Sequence, residues 1–189
     1  MAKLFENLHL TLLAGLVAAI ALMMTFHAET ITAVAAFQWL HVFFAITWIG
    51  LLYYFNFVQI PTMPSIPAEL KPGVSKYIAP KALFFFRWGA ALTVLTGLLL
   101  AYVNHYLHEA MMLQPQVRLI GIGMWLALIM AFNVWFIIWP NQKRALGLVE
   151  ADDASKAKSA RTAMITSRLN TLLSIPMLYA MTTFNPLGG

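Results

Sequence analysis

The sequence predicts an all-α integral membrane protein, a bundle of about five transmembrane helices with a cytoplasmic N-terminus and the C-terminus outside. Three observations carry that expectation. Apolar residues make up 61% of the 189 and charged residues only 10%, with a mean hydropathy of +0.75, far less polar surface than a water-exposed domain of this length carries. The apolar residues are gathered into windows of roughly 20, the length that crosses a hydrocarbon core. Lys and Arg are concentrated in alternate connections, as orientation in a membrane requires.

The elements follow in order along one membrane domain, residues 1–189. Helices are expected at about 8–26, 35–58, 81–104, 117–139 and 162–184. The first follows Lys3 and resembles a signal peptide, but its apolar stretch exceeds the roughly 7–15 residues of an ordinary signal core, so it is read as a helix. The last is interrupted by Arg168, Asn170, Ser174 and Pro176 and needs neighbours to pack against. Between the second and third, PTMPSIPAELKPGVSKYIAP carries five prolines and reads as an ordered connection without regular helix. Between the fourth and fifth, NQKRALGLVEADDASKAKSA reads as a solvated helical hairpin tip. Counting from an inside N-terminus puts Lys3, Lys71, Lys76, Lys81, Lys143, Arg144, Lys156, Lys158 and Arg161 on the cytoplasmic side, against Arg118 outside. The net charge of +5 is then an orientation signal, and nothing points to nucleic acid.

Absences narrow the chemistry. There is no cysteine, which excludes disulfides, thiolate catalysis, iron–sulfur clusters and covalent c-type haem. No phosphate-binding loop, H-E-x-x-H or G-x-S-x-G pattern occurs. The seven carboxylates, including Glu29 before the second helix, all fall in helix ends or connections, which argues against a carboxylate proton relay across the membrane.

His41 is the most informative residue, because an ionisable side chain inside an apolar helix is expensive unless it pairs, lines a cavity or binds something. It falls about two turns below the outer surface at roughly 1.5 Å per residue. His27, His105 and His108 fall toward the same face, and only His9 belongs to the inner half. A b-type haem suits this setting: it needs one or two imidazoles on facing helices, aromatic walls and small residues for close approach. Trp39, Phe43, Phe44 and Trp48 flank His41, and Gly50, Gly89 and Gly97 are the candidates for close approach. His41 is the expected ligand of the haem iron, and His27, His105 or a thioether from Met177 or Met181 the candidates for the opposite axial position, whereas Met111 and Met112 suit space-filling. The competing reading is an interhelical hydrogen bond from His41 with aromatics that only fill space.

Arg87 and Arg168 are the second anomaly, each about one to two turns from an inner helix end with no carboxylate nearby in sequence. Either they snorkel to the interface or they bind carboxylates, such as haem propionates or an anionic substrate, through bidentate hydrogen bonds. Asn133 and Asn170 are expected to line the same polar interior, and Asn56 and Gln59 to belong to the inner interface.

The segments WLHVFFAITWIGLLYYFNFVQIP and SRLNTLLSIPMLYAM resemble the membrane domain of bacterial membrane-bound urate oxidases, the urate oxidase N-terminal family, over about Ala35 to Met181. The most specific pieces are W-L-H-V, I-T-W-I-G and N-T-L-L-S-I-P. A looser likeness in helix order extends to HemJ-type protoporphyrinogen oxidases and CopD-like proteins. In HemJ-type proteins the first such histidine is regarded as a haem b ligand, a role the resemblance places on His41. Membrane urate oxidases typically carry a C-terminal cytochrome c domain; here the absence of cysteine makes a separate cytochrome the expected electron partner.

Three function classes follow. The first is a haem b redox protein of the bacterial cytoplasmic membrane, urate-oxidase-like, passing electrons to a periplasmic cytochrome or respiratory partner. The second is a non-catalytic accessory subunit of a larger membrane complex. The third is a transporter of a small anion or metal, with the arginines as filter and His41 as gate or ligand. Membrane lipid, such a cytochrome or complex, and further copies of the chain are the expected partners.

Overall fold

The computed structural model describes residues 2–27 and 33–184, with the side chains of Lys3 and His27 outside the description. Glu29 and the tail NPLGG, expected outside the membrane, also fall outside the described residues. Among the described residues there is helix and no strand. The helices are α1 Ala2–Glu6, α2 Leu8–His27, α3 Ala33–Ser65, α4 Lys71–Val103, α5 Leu107–Met111, α6 Pro115–Ala145 and α7 Asp153–Thr183.

The chain divides into two compact units, residues 1–36 and 37–189. In the first, α2 is apolar on all faces and none of its described residues is buried. In the second, α3, α4, α6 and α7 run alternately up and down. His41 meets Thr93 and Gly97, Trp48 meets Gly89, and Phe55 meets Phe86, an order that falls along α4 as it rises along α3. Gly123 meets Ala180 and Asn133 meets Asn170 in the same antiparallel sense between α6 and α7. The core is built on Trp48, Leu52, Phe86, Met130 and Val134, all essentially without exposed surface.

α2, α3, α4 and α6 are long and apolar enough to cross a membrane; α7 has the length but not the hydropathy. Asp153, Lys156, Lys158, Arg161 and Arg168, none of them buried, lower it most, and its buried face lowers it further. Ser159, Ala163, Ser167, Asn170, Ser174, Met177 and Ala180 recur every three or four residues as an inward stripe that is half polar, while Leu169, Leu172, Ile175 and Tyr179 face outward.

The proline-rich connection departs from the expectation of irregular chain. α3 runs on through Pro61 to Ser65 and α4 starts at Lys71, with Pro72 in its first turn, where a missing N–H costs nothing. Pro61, Pro80 and Pro140 share one device. The amide of the residue before each donates five residues back, Ile60 to Phe55, Ala79 to Val74 and Trp139 to Val134, so each helix passes its proline through a widened π turn. The hairpin tip is as expected: Gly147, at φ 71°, ends α6 in the left-handed conformation that glycine adopts freely. Asp152 caps α7 by accepting the Ser155 amide at 2.8 Å.

Candidate functional site

α3 presents His41 to α4 at the level of Thr93 and Gly97. Nδ1 of the imidazole lies 2.9 Å from the Thr93 carbonyl oxygen. A carbonyl only accepts, so Nδ1 carries the proton and donates it, leaving Nε2 as the unprotonated nitrogen with no hydrogen bond among the described residues. Thr96 Oγ1, at 3.5 Å from Nδ1, is already committed to the Leu92 carbonyl at 2.6 Å. A metal-bound histidine characteristically has this arrangement, one ring nitrogen held by a backbone carbonyl and the other free for the ion.

Gly97 makes the approach possible. A Cβ there would fall 2.7 Å from Cε1 and 3.0 Å from Nδ1 of His41, so the ring lies flush on the α4 backbone. Gly89 takes the Trp48 backbone in a similar way, whereas a Cβ at Gly50 meets nothing within 4 Å. Of the three glycines expected at close approaches, two are so placed.

His41, Thr93 and Gly97 line a cavity of about 30 Å³ together with Met124 and Ala127 of α6 and Met181 of α7. One of the expected axial candidates, Met181, is thus brought to the cavity of His41, and Met124 joins them. His105 is not. It is exposed in the turn after α4, at φ 60°, and His108 is exposed on α5. Trp48 is in the core without exposed surface, is not in the wall of that cavity, and leaves its indole N–H without a partner among the described residues.

The two arginines part company. Arg87 is half-buried, its guanidinium 3.4 Å from the centroid of Trp139, with Nε and Nη1 buried and unpartnered. Its carbonyl accepts the Trp135 indole N–H at 3.2 Å. Arg168 is exposed on α7, and no contact links it to Arg87 among the described residues. With Ser167 and Asn170 turned inward, the helical period carries Arg168 out of the interior.

Asn170 is wholly buried and spoken for: its Nδ2 donates to the Met130 carbonyl at 2.9 Å and its Oδ1 accepts from Asn133 Nδ2 at 2.8 Å. Asn56 is buried as well and donates to the Leu52 carbonyl and Ser167 Oγ. Tyr53 pairs its hydroxyl with Ser174 Oγ at 2.9 Å. This ladder between α7 and its neighbours is the polar interior. Thr93, Met124 and Ser167 went unnoticed in the sequence, where only helical register with His41 or Asn170 could have singled them out, and Ser174 stood out only as an interruption of the last helix.

A haem can be weighed against these observations. The donors suit a haem iron, with an oriented imidazole and two thioethers on other helices. The cavity is partly open and has room for about two water molecules as the helices stand, so a macrocycle on His41 requires them to part. Among the described residues no three His, Asp or Glu side chains converge as a metal site.

The family model for the urate oxidase N-terminal family matches residues 109–185. No curated protein and no solved structure matches the chain. The matched stretch takes in N-T-L-L-S-I-P and the cavity residues Met124 and Met181, while W-L-H-V and I-T-W-I-G lie before it. Over residues 109–185, the two antiparallel helices that bring Met124, Asn133, Asn170 and Met181 to the interior, the chain is similar to the urate oxidase N-terminal family.

Proposed function

We propose that this chain is an integral protein of the bacterial cytoplasmic membrane that binds the iron of a b-type haem through His41 and serves in electron transfer. The observation that carries the reading is the Nδ1–H bond of His41 to the Thr93 carbonyl, which orients the ring and leaves Nε2 available as a ligand. Bound haem supplies one-electron chemistry. The group would be held by an imidazole locked by Thr93 and Gly97 and by thioethers of Met181 or Met124, in an apolar surround. Four apolar helices and the exposed Ile46, Phe57, Phe136 and Ile175 favour lipid as their solvent. The excess of Lys and Arg in alternate connections favours a cytoplasmic N-terminus. Oxidation of urate, with electrons passed to a separate cytochrome, is the reaction that the family match suggests.

The small cavity favours a second reading, a bare soft cation such as Cu(I) held by the same imidazole and thioethers, in a protein that transports or senses the metal. One experiment separates the two. Protein purified in detergent is assayed by pyridine haemochrome for haem and by mass spectrometry for iron and copper. A b-type spectrum abolished by His41→Ala supports the first reading. Copper without haem, lost in the same variant, supports the second, and a full complement of haem in His41→Ala overturns the assignment of His41.

A further inference from the structure

A second cavity, of about 420 Å³ and open to the surface, lies at the tip of the α6–α7 hairpin, far along α7 from Met181. Its wall includes Arg144 at the end of α6, Glu150 and Asp152 in the connection, and Ser155, Lys158 and Ser159 in the first turns of α7. The polar groups here are unequally committed. Asp152 is taken, its two oxygens accepting from the amide and the hydroxyl of Ser155 at 2.8 Å each. Arg144, Lys158 and Glu150 are in no ion pair among the described residues, where the pair present, Lys156 with Asp153, lies outside the cavity wall. Ser159 is only 5% exposed, and its hydroxyl has no hydrogen-bond partner among the described residues. A hydroxyl in the cavity wall that no protein group occupies is available to donate to an acceptor bound there.

We propose that this cavity binds a phosphate ester that carries a primary ammonium group, the chemistry of a phosphoethanolamine headgroup. The phosphate is held by Arg144 and Lys158 with the Ser159 hydroxyl donating from the floor, and the ammonium is met by Glu150. Two unpaired cations, one unpaired carboxylate and one hydroxyl donor match a ligand whose phosphate spreads its negative charge over its non-bridging oxygens and whose other end is positive. The volume lies within the range of small-molecule sites, about 300–1,000 Å³. The ligand can reach the cavity from a phosphatidylethanolamine headgroup or as a soluble ester. The site shares no residue with the His41 cavity, so it stands whether or not that cavity holds a metal.

The test uses the full chain in detergent. Native mass spectrometry from micelles doped with phosphatidylethanolamine or phosphatidylcholine measures lipid retention, and calorimetric titration with phosphoethanolamine measures the soluble ligand. Preferential retention of phosphatidylethanolamine identifies a lipid headgroup site, and binding of phosphoethanolamine identifies a site for a soluble ester. In either case Arg144→Gln and Lys158→Gln should each weaken binding about tenfold, the loss of one charge-assisted hydrogen bond, and Lys156→Gln should leave it unchanged. Ser159→Val should weaken it too, and the two surface variants keep the test sound if that one folds poorly. Absence of both kinds of binding overturns the proposal. So does equal binding by wild type and the Arg144 and Lys158 variants, or a loss in Lys156→Gln as large as in Lys158→Gln.

Discussion

The imidazole of His41 rests directly on Gly97, so close that a Cβ at residue 97 would lie 2.7 Å from Cε1. The ring's hydrogen bond to the Thr93 carbonyl depends on that absence of a side chain. Gly97→Ala should push the ring off Thr93 and lower the bound metal or haem per chain, with a smaller effect on folding because alanine favours the helix by about 0.5–1 kcal/mol. Gly97→Val should also destabilise, by about 1–3 kcal/mol through overpacking. Metal or haem content set against thermal unfolding of the two variants checks this, and undiminished content in Gly97→Val counts against the site.

The Asn133–Asn170 pair is a buried interhelical bond whose acceptor residue also ties down the Met130 carbonyl. Asn170→Ala should therefore cost more than Asn133→Ala, because it strands the Asn133 side-chain amide and also removes the second bond to the Met130 carbonyl, which keeps the Asn133 backbone N–H. The expected loss for Asn170→Ala is about 1–3 kcal/mol. A double-mutant cycle of denaturant unfolding should return a coupling of about 0.5–2 kcal/mol; additive losses would mean that the pair is not a unit.

Arg161 and Arg168 are both exposed on α7, whereas Arg87 is packed on Trp139 with buried unpartnered N–H groups. Arg168→Gln should thus behave like Arg161→Gln in folding and in ligand content. Arg87→Gln should differ from both, because it removes the stacked cation. Thermal unfolding of the three variants side by side decides it, and a large defect confined to Arg168→Gln would return that residue to the interior.

Asp152 is held below the usual carboxylate range by the amide and hydroxyl hydrogen bonds from Ser155. Its folded-state value is lower than its unfolded one, so its contribution to stability is complete above the ordinary aspartate range and fades as pH falls through the folded value. Asp152→Asn retains a capping oxygen but cannot titrate. The difference in melting temperature between wild type and this variant should be constant from neutral to mildly acidic pH and shrink only in strong acid. A difference that instead grows on acidification would reverse the sign of the linkage.

The helical class, the positions of the apolar stretches and the likeness to the urate oxidase N-terminal family were legible in the chain, because length and hydropathy of a helix are local properties and N-T-L-L-S-I-P is a contiguous motif. His41 could be singled out for a related reason, since an ionisable side chain in an apolar run stands out wherever it is, and the structure brings it to one cavity with Met181. Helix ends were less legible. Pro61, Pro80 and Pro140 read as breaks, yet a widened turn before each lets the helix continue, a choice made by packing and not by the proline alone.

What only the tertiary structure decided is which polar residues face one another. Arg168, Ser167 and Asn170 differ by one to three positions in sequence, yet one is exposed and two are buried, because each step turns a helix by about 100°. His41 finds Thr93 and Gly97 more than fifty residues away, and Met124 and Met181 complete the same cavity from two further helices. Hydropathy records how apolar a segment is but not which stripe meets which neighbour. That is set by interlocking side chains at Gly97, Gly89 and along the polar face of α7, where close approach and paired hydrogen bonds select one arrangement of the helices.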